Sequence, residues 1–139
     1  IIKVLGEFDL DPCTPIIRPW DTAKIHYNKL DNGLIKEWKG RVFCNPPYGK
    51  QTAKWIKKCS EHNNCIALIF ARTETRLFFN YIWLKANALF FIKGRISFYN
   101  VNGIKCGPAG APSVLVAYGN ENSEILKNCG LDGYYIKLR

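Results

Sequence analysis

Two kinds of apolar spacing alternate along the middle of the chain. Cys65 to Phe70 is an unbroken apolar run between polar neighbours, which predicts a strand covered on both faces. Ahead of it, Gln51 to Ser60 carries helical spacing. Ala53, Ile56 and Cys59 fall on one face, and Lys50, Lys54, Lys57 and Lys58 share the other. A second helix is predicted over about Glu74 to Leu84, opened by Thr73 and Glu74, with Leu77, Phe78, Tyr81 and Ile82 as its stripe. Further strands are predicted at Arg41–Asn45, Ala88–Ile92 and Ser113–Tyr118.

The ends are less regular. Phe8-Asp9-Leu10-Asp11 alternates apolar and acidic residues and then meets Pro12, so a short strand ends at Asp11. Residues 14 to 30 show no clear period and predict loop with at most a helical turn. Asp31-Asn32-Gly33 signals a turn. Gly94 bends the chain into Ile96-Ser97-Phe98, and Asn100 to Pro112, rich in Gly, Asn and Pro, predicts a loop. A short helix is expected over Asn122–Asn128, capped by Asn122 or Ser123 and stopped near Gly130. A last strand is expected near Tyr134–Leu138. Strands and helices alternate from Arg41 to Phe91, which predicts an α/β domain with a largely parallel sheet. The stretch from Gly94 to Pro112 adds antiparallel strands at one edge.

Length and composition fit that picture. The chain has 139 residues, of which 47% are hydrophobic and 14% aromatic. That is one domain with a real core rather than a disordered segment. The chain contains no Met, so it is read as a single domain, residues 1–139, lacking its N-terminal segment. No apolar run approaches a membrane span and no signal-peptide pattern is visible. None of the six cysteines forms a C-x-x-C pair, and His26 and His62 have no metal-like partners. No metal is therefore expected, and Cys44, Cys59 and Cys65 are expected as buried free thiols in a reducing compartment. Lys and Arg number 20 against 11 acids, a formal charge of +9. A polyanion is the first partner to consider, with nucleic acid ahead of a membrane surface.

One stretch carries chemistry that packing alone does not call for. Asn45-Pro46-Pro47-Tyr48 follows the Arg41–Asn45 strand. The two prolines stop a strand and hold the residue before them extended. The corner carries a carboxamide on one side and a phenol ring on the other. The Asn45 side-chain oxygen and the Pro46 carbonyl are both acceptors and can bind both hydrogens of an exocyclic amine while Tyr48 stacks on its ring. Such bonding draws the nitrogen lone pair out of conjugation, which is what methyl transfer to a base amine requires. The same four residues also serve glutamine and other amide-nitrogen methyltransferases. A cytosine N4 amine, a protein glutamine amide and a non-catalytic nucleic-acid-binding relative all stay open at this point.

The wider pattern resembles the phage-type (Dam-like) DNA N6-adenine methyltransferase family. The blocks are Phe8-Asp9-Leu10-Asp11-Pro12-Cys13, then Asp31-Asn32-Gly33-Leu34 with Trp38-Lys39-Gly40, and Val42 to Gly49. Further on come Ala71-Arg72-Thr73-Glu74-Thr75, Gly94 to Phe98, and Pro112 to Val116. Their order and spacing agree from about Phe8 to Tyr118. The resemblance implies a Rossmann-like fold, S-adenosylmethionine as cofactor and double-stranded DNA as partner. It implies cytoplasmic action in a bacterial host by a phage- or prophage-encoded protein.

The resemblance also makes Asn45, Pro46, Pro47 and Tyr48 the target-amine site. It makes Asp11 and Pro12 the start of the cofactor motif, and Asp31 an acid near the cofactor's adenosine portion. No Gly-rich F-x-G-x-G loop follows the first strand; Cys13-Thr14-Pro15 stands there instead. Lys50, Lys54 and Lys58, with Arg72 and Arg95, are the expected DNA contacts. The Asn100–Ala111 loop is the expected reader of target sequence.

Overall fold

The computed structural model describes all 139 residues, Ile1 to Arg139. After a 3-10 turn at Ile2–Leu5 come β1 (Leu10–Asp11), β2 (Ile25–His26), β3 (Val42–Cys44), α1 (Thr52–His62), β4 (Cys65–Phe70), α2 (Arg76–Tyr81) and β5 (Ala88–Ile92). They are followed by β6 (Ser97–Tyr99), β7 (Lys105–Pro108), β8 (Ser113–Tyr118), α3 (Asn120–Lys127) and β9 (Gly133–Lys137). Seven strands form one mixed sheet in the order β2-β1-β3-β4-β8-β5-β9, and β6 and β7 form a separate hairpin. β2, β1, β3 and β4 pair in parallel, while β8 is antiparallel to both β4 and β5, and β9 is antiparallel to β5. Five strands thus run one way, and their carboxyl ends share one rim.

The two unbroken apolar runs take the centre. β4 and β8 pair over their full length, from Cys65 opposite Tyr118 to Phe70 opposite Ser113. Every residue of β8 is buried. This corrects the expectation that antiparallel strands lie only at an edge. A strand this apolar is stable only with both faces and both neighbours covered, so β8 sits between β4 and β5. β9, whose residues are mostly exposed, is the antiparallel edge.

Helices cover both faces. α1 lays Trp55, Ile56 and Cys59 on one face with Phe78 and Ile82 beside them, while Leu126 of α3 packs on the other with Leu5, Phe8 and Phe43. Thr52 and Trp55, rather than Ala53, join Ile56 and Cys59 as the buried side of α1. Fully burying side chains of this size contributes about 1.5–3 kcal/mol each.

Four expectations need correction. β2 lies inside the stretch read as loop. It is only Ile25–His26, too short for a period, and is made by backbone bonds from Lys24, Ile25 and Tyr27 to Phe8, Asp9 and Asp11, each 3.0 Å. β7 lies inside the Asn100–Pro112 loop. The Asn100 carboxamide accepts from the amides of Asn102 (2.9 Å) and Ile104 (3.1 Å), which closes the β6–β7 hairpin on exposed β7 residues that carry no apolar alternation. α2 stops at Tyr81 instead of Leu84, because the Trp83 indole reaches back to the Thr73 carbonyl at 3.2 Å. α3 begins at Asn120 after Gly119, with no side-chain cap. Asn122 and Ser123 are buried in its first turn and bond elsewhere.

Candidate active site

β3 delivers the Asn45–Tyr48 corner to the shared rim. The Thr52 hydroxyl donates to the Pro47 carbonyl at 2.6 Å and ties the corner to the first turn of α1. Gly49, at φ +123°, makes the turn between them in a backbone region L side chains rarely adopt. The corner leaves two acceptors over. The Pro46 carbonyl receives no hydrogen bond from the loop backbone. The Asn45 Oδ1 atom is buried and has no partner. Leaving a buried acceptor unmatched costs about 1–3 kcal/mol, so it marks a place where something else supplies the donor.

Aromatic rings surround the corner. Tyr48 lies face to face with Phe70, centroids 3.9 Å apart and planes 4° apart, and Phe98 stands edge-on to it at 6.2 Å. Tyr48 is 41% exposed as a residue, yet burial around its hydroxyl pushes the phenol up to about 12. It acts as a neutral ring at every working pH.

A cavity of about 640 Å³ opens beside Asn45 and also reaches Asp11. Phe43 and Leu68 form its floor on the sheet, Phe98 and Tyr99 its hairpin side, and Trp20 and Thr22 part of its loop side. Asp11 is only 4% exposed. One carboxylate oxygen accepts from the Thr22 hydroxyl and the other from the Cys13 amide at 3.2 Å. Burial raises its carboxyl above the ordinary 3.8, opposed by those two bonds and by His26 and Arg18. His26, the register partner of Asp11, receives the Thr22 and Ala23 amides on Nε2 at 3.1 and 3.3 Å and so holds the turn that presents Thr22. Burial, then Arg18, lowers the imidazole below 6.5, keeping it the neutral acceptor this geometry needs.

The other expected cofactor residues divide. Pro12 is buried at the end of β1, and its carbonyl lies so close to Gly33 that a Cβ there would meet it at 2.2 Å. The loop around Gly33 is thereby held against the end of β1 and the Trp55 ring of α1. Asp31 itself does not line the cavity; its carboxylate receives the Asn28 amide at 2.9 Å, as a turn acid does. Asp21, not singled out in the sequence, is the second carboxylate on the cavity wall, paired with Arg18 at 2.8 Å.

The basic residues also separate. Lys50 and Arg72 are exposed at the rim near Tyr48, and Lys54 is exposed one turn along α1. Lys58 is different. Its ammonium donates to the carbonyls of Gly33 (3.2 Å), Leu34 (2.9 Å) and Lys36, over the Trp38 ring at 5.0 Å. It also lies roughly 6 Å along α1 from Lys54. It is a loop anchor, which corrects its expected place on a free lysine face. Arg95 donates to the Ala109 carbonyl at 3.1 Å and closes the base of the β6–β7 hairpin.

The DNA N-6-adenine-methyltransferase (Dam) family model matches residues 2–125. The chain belongs to that family. No curated protein and no solved structure matches it. Membership makes the chain a DNA N6-adenine methyltransferase and selects adenine N6 over cytosine N4, a glutamine amide or a non-catalytic role. No helix is long and apolar enough to cross a membrane. No cluster of His, Cys, Asp or Glu side chains has the geometry of a metal site.

Three residues around the corner and the cavity were not singled out in the sequence. Phe98 had a signal, an aromatic ending the Gly94–Phe98 block. Asp21 and Thr22 had none, because they lie in the stretch without a period.

Proposed function

We propose that this Dam-family chain methylates a flipped adenine of double-stranded DNA at the Asn45–Tyr48 corner, with S-adenosylmethionine bound in the cavity that joins Asn45 to Asp11. The observation that carries the reading is the buried, partnerless Asn45 Oδ1 beside an aromatic wall. An exocyclic amine supplies the missing donor, and its ring supplies a face to stack. The sheet, with parallel strands leading to a rim site and an antiparallel strand inside it, supports a Rossmann-like methyltransferase arrangement.

The cavity residues fit the cofactor's chemistry. A sulfonium and an ammonium favour carboxylates, and Asp11 and Asp21 both line the wall; a purine favours a flat apolar surface, and Trp20 lies beside them. Asp11 keeps lone pairs free on both oxygens after its bonds to Thr22 and Cys13. When bound, S-adenosylmethionine supplies an electrophilic methyl group. The chain's residues do the rest by alignment. Asn45 Oδ1 and the Pro46 carbonyl accept the two N6 hydrogens, fix the amine's direction and localise its lone pair. Tyr48 holds the ring plane. N6 would gain the methyl as the S–CH3 bond breaks with its electron pair left on sulfur, and would release one proton to solvent.

Flipping the base out of the duplex costs a few kcal/mol. Stacking on an aromatic side chain, worth about 1–3 kcal/mol per base, offsets part of it. Lys50, Lys54 and Arg72 face outward around the entrance and track phosphates. Arg95 and the β6–β7 hairpin stand on the other side of the opening, where the loop beyond Tyr99 reads sequence. The setting is the cytoplasm of a bacterial host, with the gene carried by phage or prophage. Calorimetry tests the cofactor half. S-adenosylmethionine should bind the wild-type chain with one-site stoichiometry and bind Asp11→Asn about tenfold more weakly. An absence of binding to the wild type rejects the cavity assignment.

A further inference from the structure

Phe70 is the last residue of β4, on the same side of the pleat as Leu68. Leu68 lines the large cavity with Asn45. Phe70 itself lines not that cavity but a second one, of about 430 Å³, which it shares with Tyr48, Thr52 and Arg72, and its ring covers one face of Tyr48 at 3.9 Å with planes 4° apart. The two rings form a parallel stack. A purine on tyrosine adopts just this parallel stack. A base that bonds Asn45 Oδ1 and lies on Tyr48 needs a face of that ring. Phe70 holds one, with the Arg72 guanidinium 5.7 Å from its ring centre.

We propose that Phe70 is a placeholder for the target base. In the DNA-free enzyme it covers Tyr48, and the incoming adenine displaces it. This rests on the assignment of Asn45 and Tyr48 to the base site. The exchange swaps one stack for another, so water never wets the Tyr48 face. It also sharpens selection. A base that cannot donate an amine to Asn45 gains only what Phe70 gave up, whereas adenine gains the hydrogen bonds as well. Phe70 is thus a specificity-setting residue that acts by competition, while Phe98, edge-on to Tyr48, keeps its place.

The test compares wild type, Phe70→Leu and Phe70→Trp in methyl transfer from labelled S-adenosylmethionine to unmethylated genomic DNA. Loss of a competing aromatic stack should lower KM for DNA in Phe70→Leu about 2- to 10-fold without lowering kcat. The larger indole should raise KM by a similar factor. A raised KM or reduced kcat in Phe70→Leu, or unchanged KM in both variants, overturns the placeholder, the first outcome making Phe70 a fixed wall. Should Phe70→Leu melt below the assay temperature, the direction of the Phe70→Trp change decides alone. Asn45→Ala run alongside separates this from the site assignment. Full activity there rejects the base site and the placeholder together. Lost activity there with unmoved KM in both Phe70 variants rejects the placeholder only.

Discussion

Two asparagines at opposite ends of the sheet meet opposite fates. Asn122, at the far end from the rim, is wholly buried and engaged on all sides. Its Oδ1 accepts from Arg41 Nε at 2.7 Å, and its Nδ2 donates to Asn64 Oδ1 and the Tyr118 carbonyl, each at 2.9 Å. Arg41 also donates to the Glu7 carbonyl at 2.9 Å and lies 4.1 Å from the centre of the Phe8 ring. Asn45, at the rim, keeps a buried oxygen with no donor, and Ser113 at the same rim keeps a buried hydroxyl unmatched. The same carboxamide is a structural clasp in one place and an unfilled acceptor in the other. The difference holds for the two carboxamides; at the Asn122 end one buried group, Arg41 Nη2, also lacks a partner.

The contrast can be broken by substitution. Asn45→Ala should lower kcat/KM about 100- to 1000-fold, the usual loss when one positioned group at a developing charge is removed. It should leave the melting midpoint unchanged or slightly higher, since an unmatched buried acceptor disappears. Asn122→Ala should do the reverse. Urea unfolding should show a loss of about 2–4 kcal/mol, because Arg41 and Asn64 lose buried partners, while the folded fraction keeps normal activity. A stability loss at Asn45 or an activity loss at Asn122 would dissolve the distinction.

The lysines of α1 give a smaller version of the same contrast. Lys58→Ala should cost about 1–2 kcal/mol of stability, because three loop carbonyls lose a charged donor, and should leave the salt dependence of DNA binding unchanged. Lys54→Ala should leave stability within about 0.5 kcal/mol and reduce the slope of log K against log salt by about 1. Titrating both variants across salt concentrations decides between phosphate contact and loop anchor.

The smallest effect is in pH. Asp11 has its carboxyl raised by burial, so the stability it contributes is complete below its ordinary 3.8 and is lost as pH rises through the raised value. Asp11→Asn should therefore gain thermal stability relative to wild type as pH rises from the acid range to neutral. A cationic cofactor should bind wild type more tightly over the same rise. His26 runs the other way. Its imidazole is lowered below 6.5, so its stabilisation is present above that value and fades as pH falls through the lowered one. A variant-minus-wild-type melting difference that is flat in pH would contradict the Asp11 assignment.

Much of this was legible in residue order, for local reasons. β4, β5 and β8 have the bounds their unbroken apolar runs imply, and α1 the helical period of its lysines and core residues. Asn45 stood out because two prolines make a corner whose side chain must point somewhere. What failed was non-local. β2 exists only because β1 offers it a backbone edge, and β7 only because Asn100 closes a hairpin. The interior place of β8 depends on which strand it meets, and composition does not reveal that. Asp31 and Asp21 are both loop acids near prolines or glycines, and only the folded chain shows which one reaches the cavity. What Lys58 bonds is set by a loop many residues earlier.

The most direct test follows labelled methyl transfer from S-adenosylmethionine to unmethylated double-stranded DNA and then digests the product to nucleosides. Wild type should yield N6-methyldeoxyadenosine as the labelled nucleoside, and an Asn45→Ala protein with wild-type melting should yield almost none. Label in N4-methyldeoxycytidine, or undiminished adenine methylation by Asn45→Ala, would contradict the account.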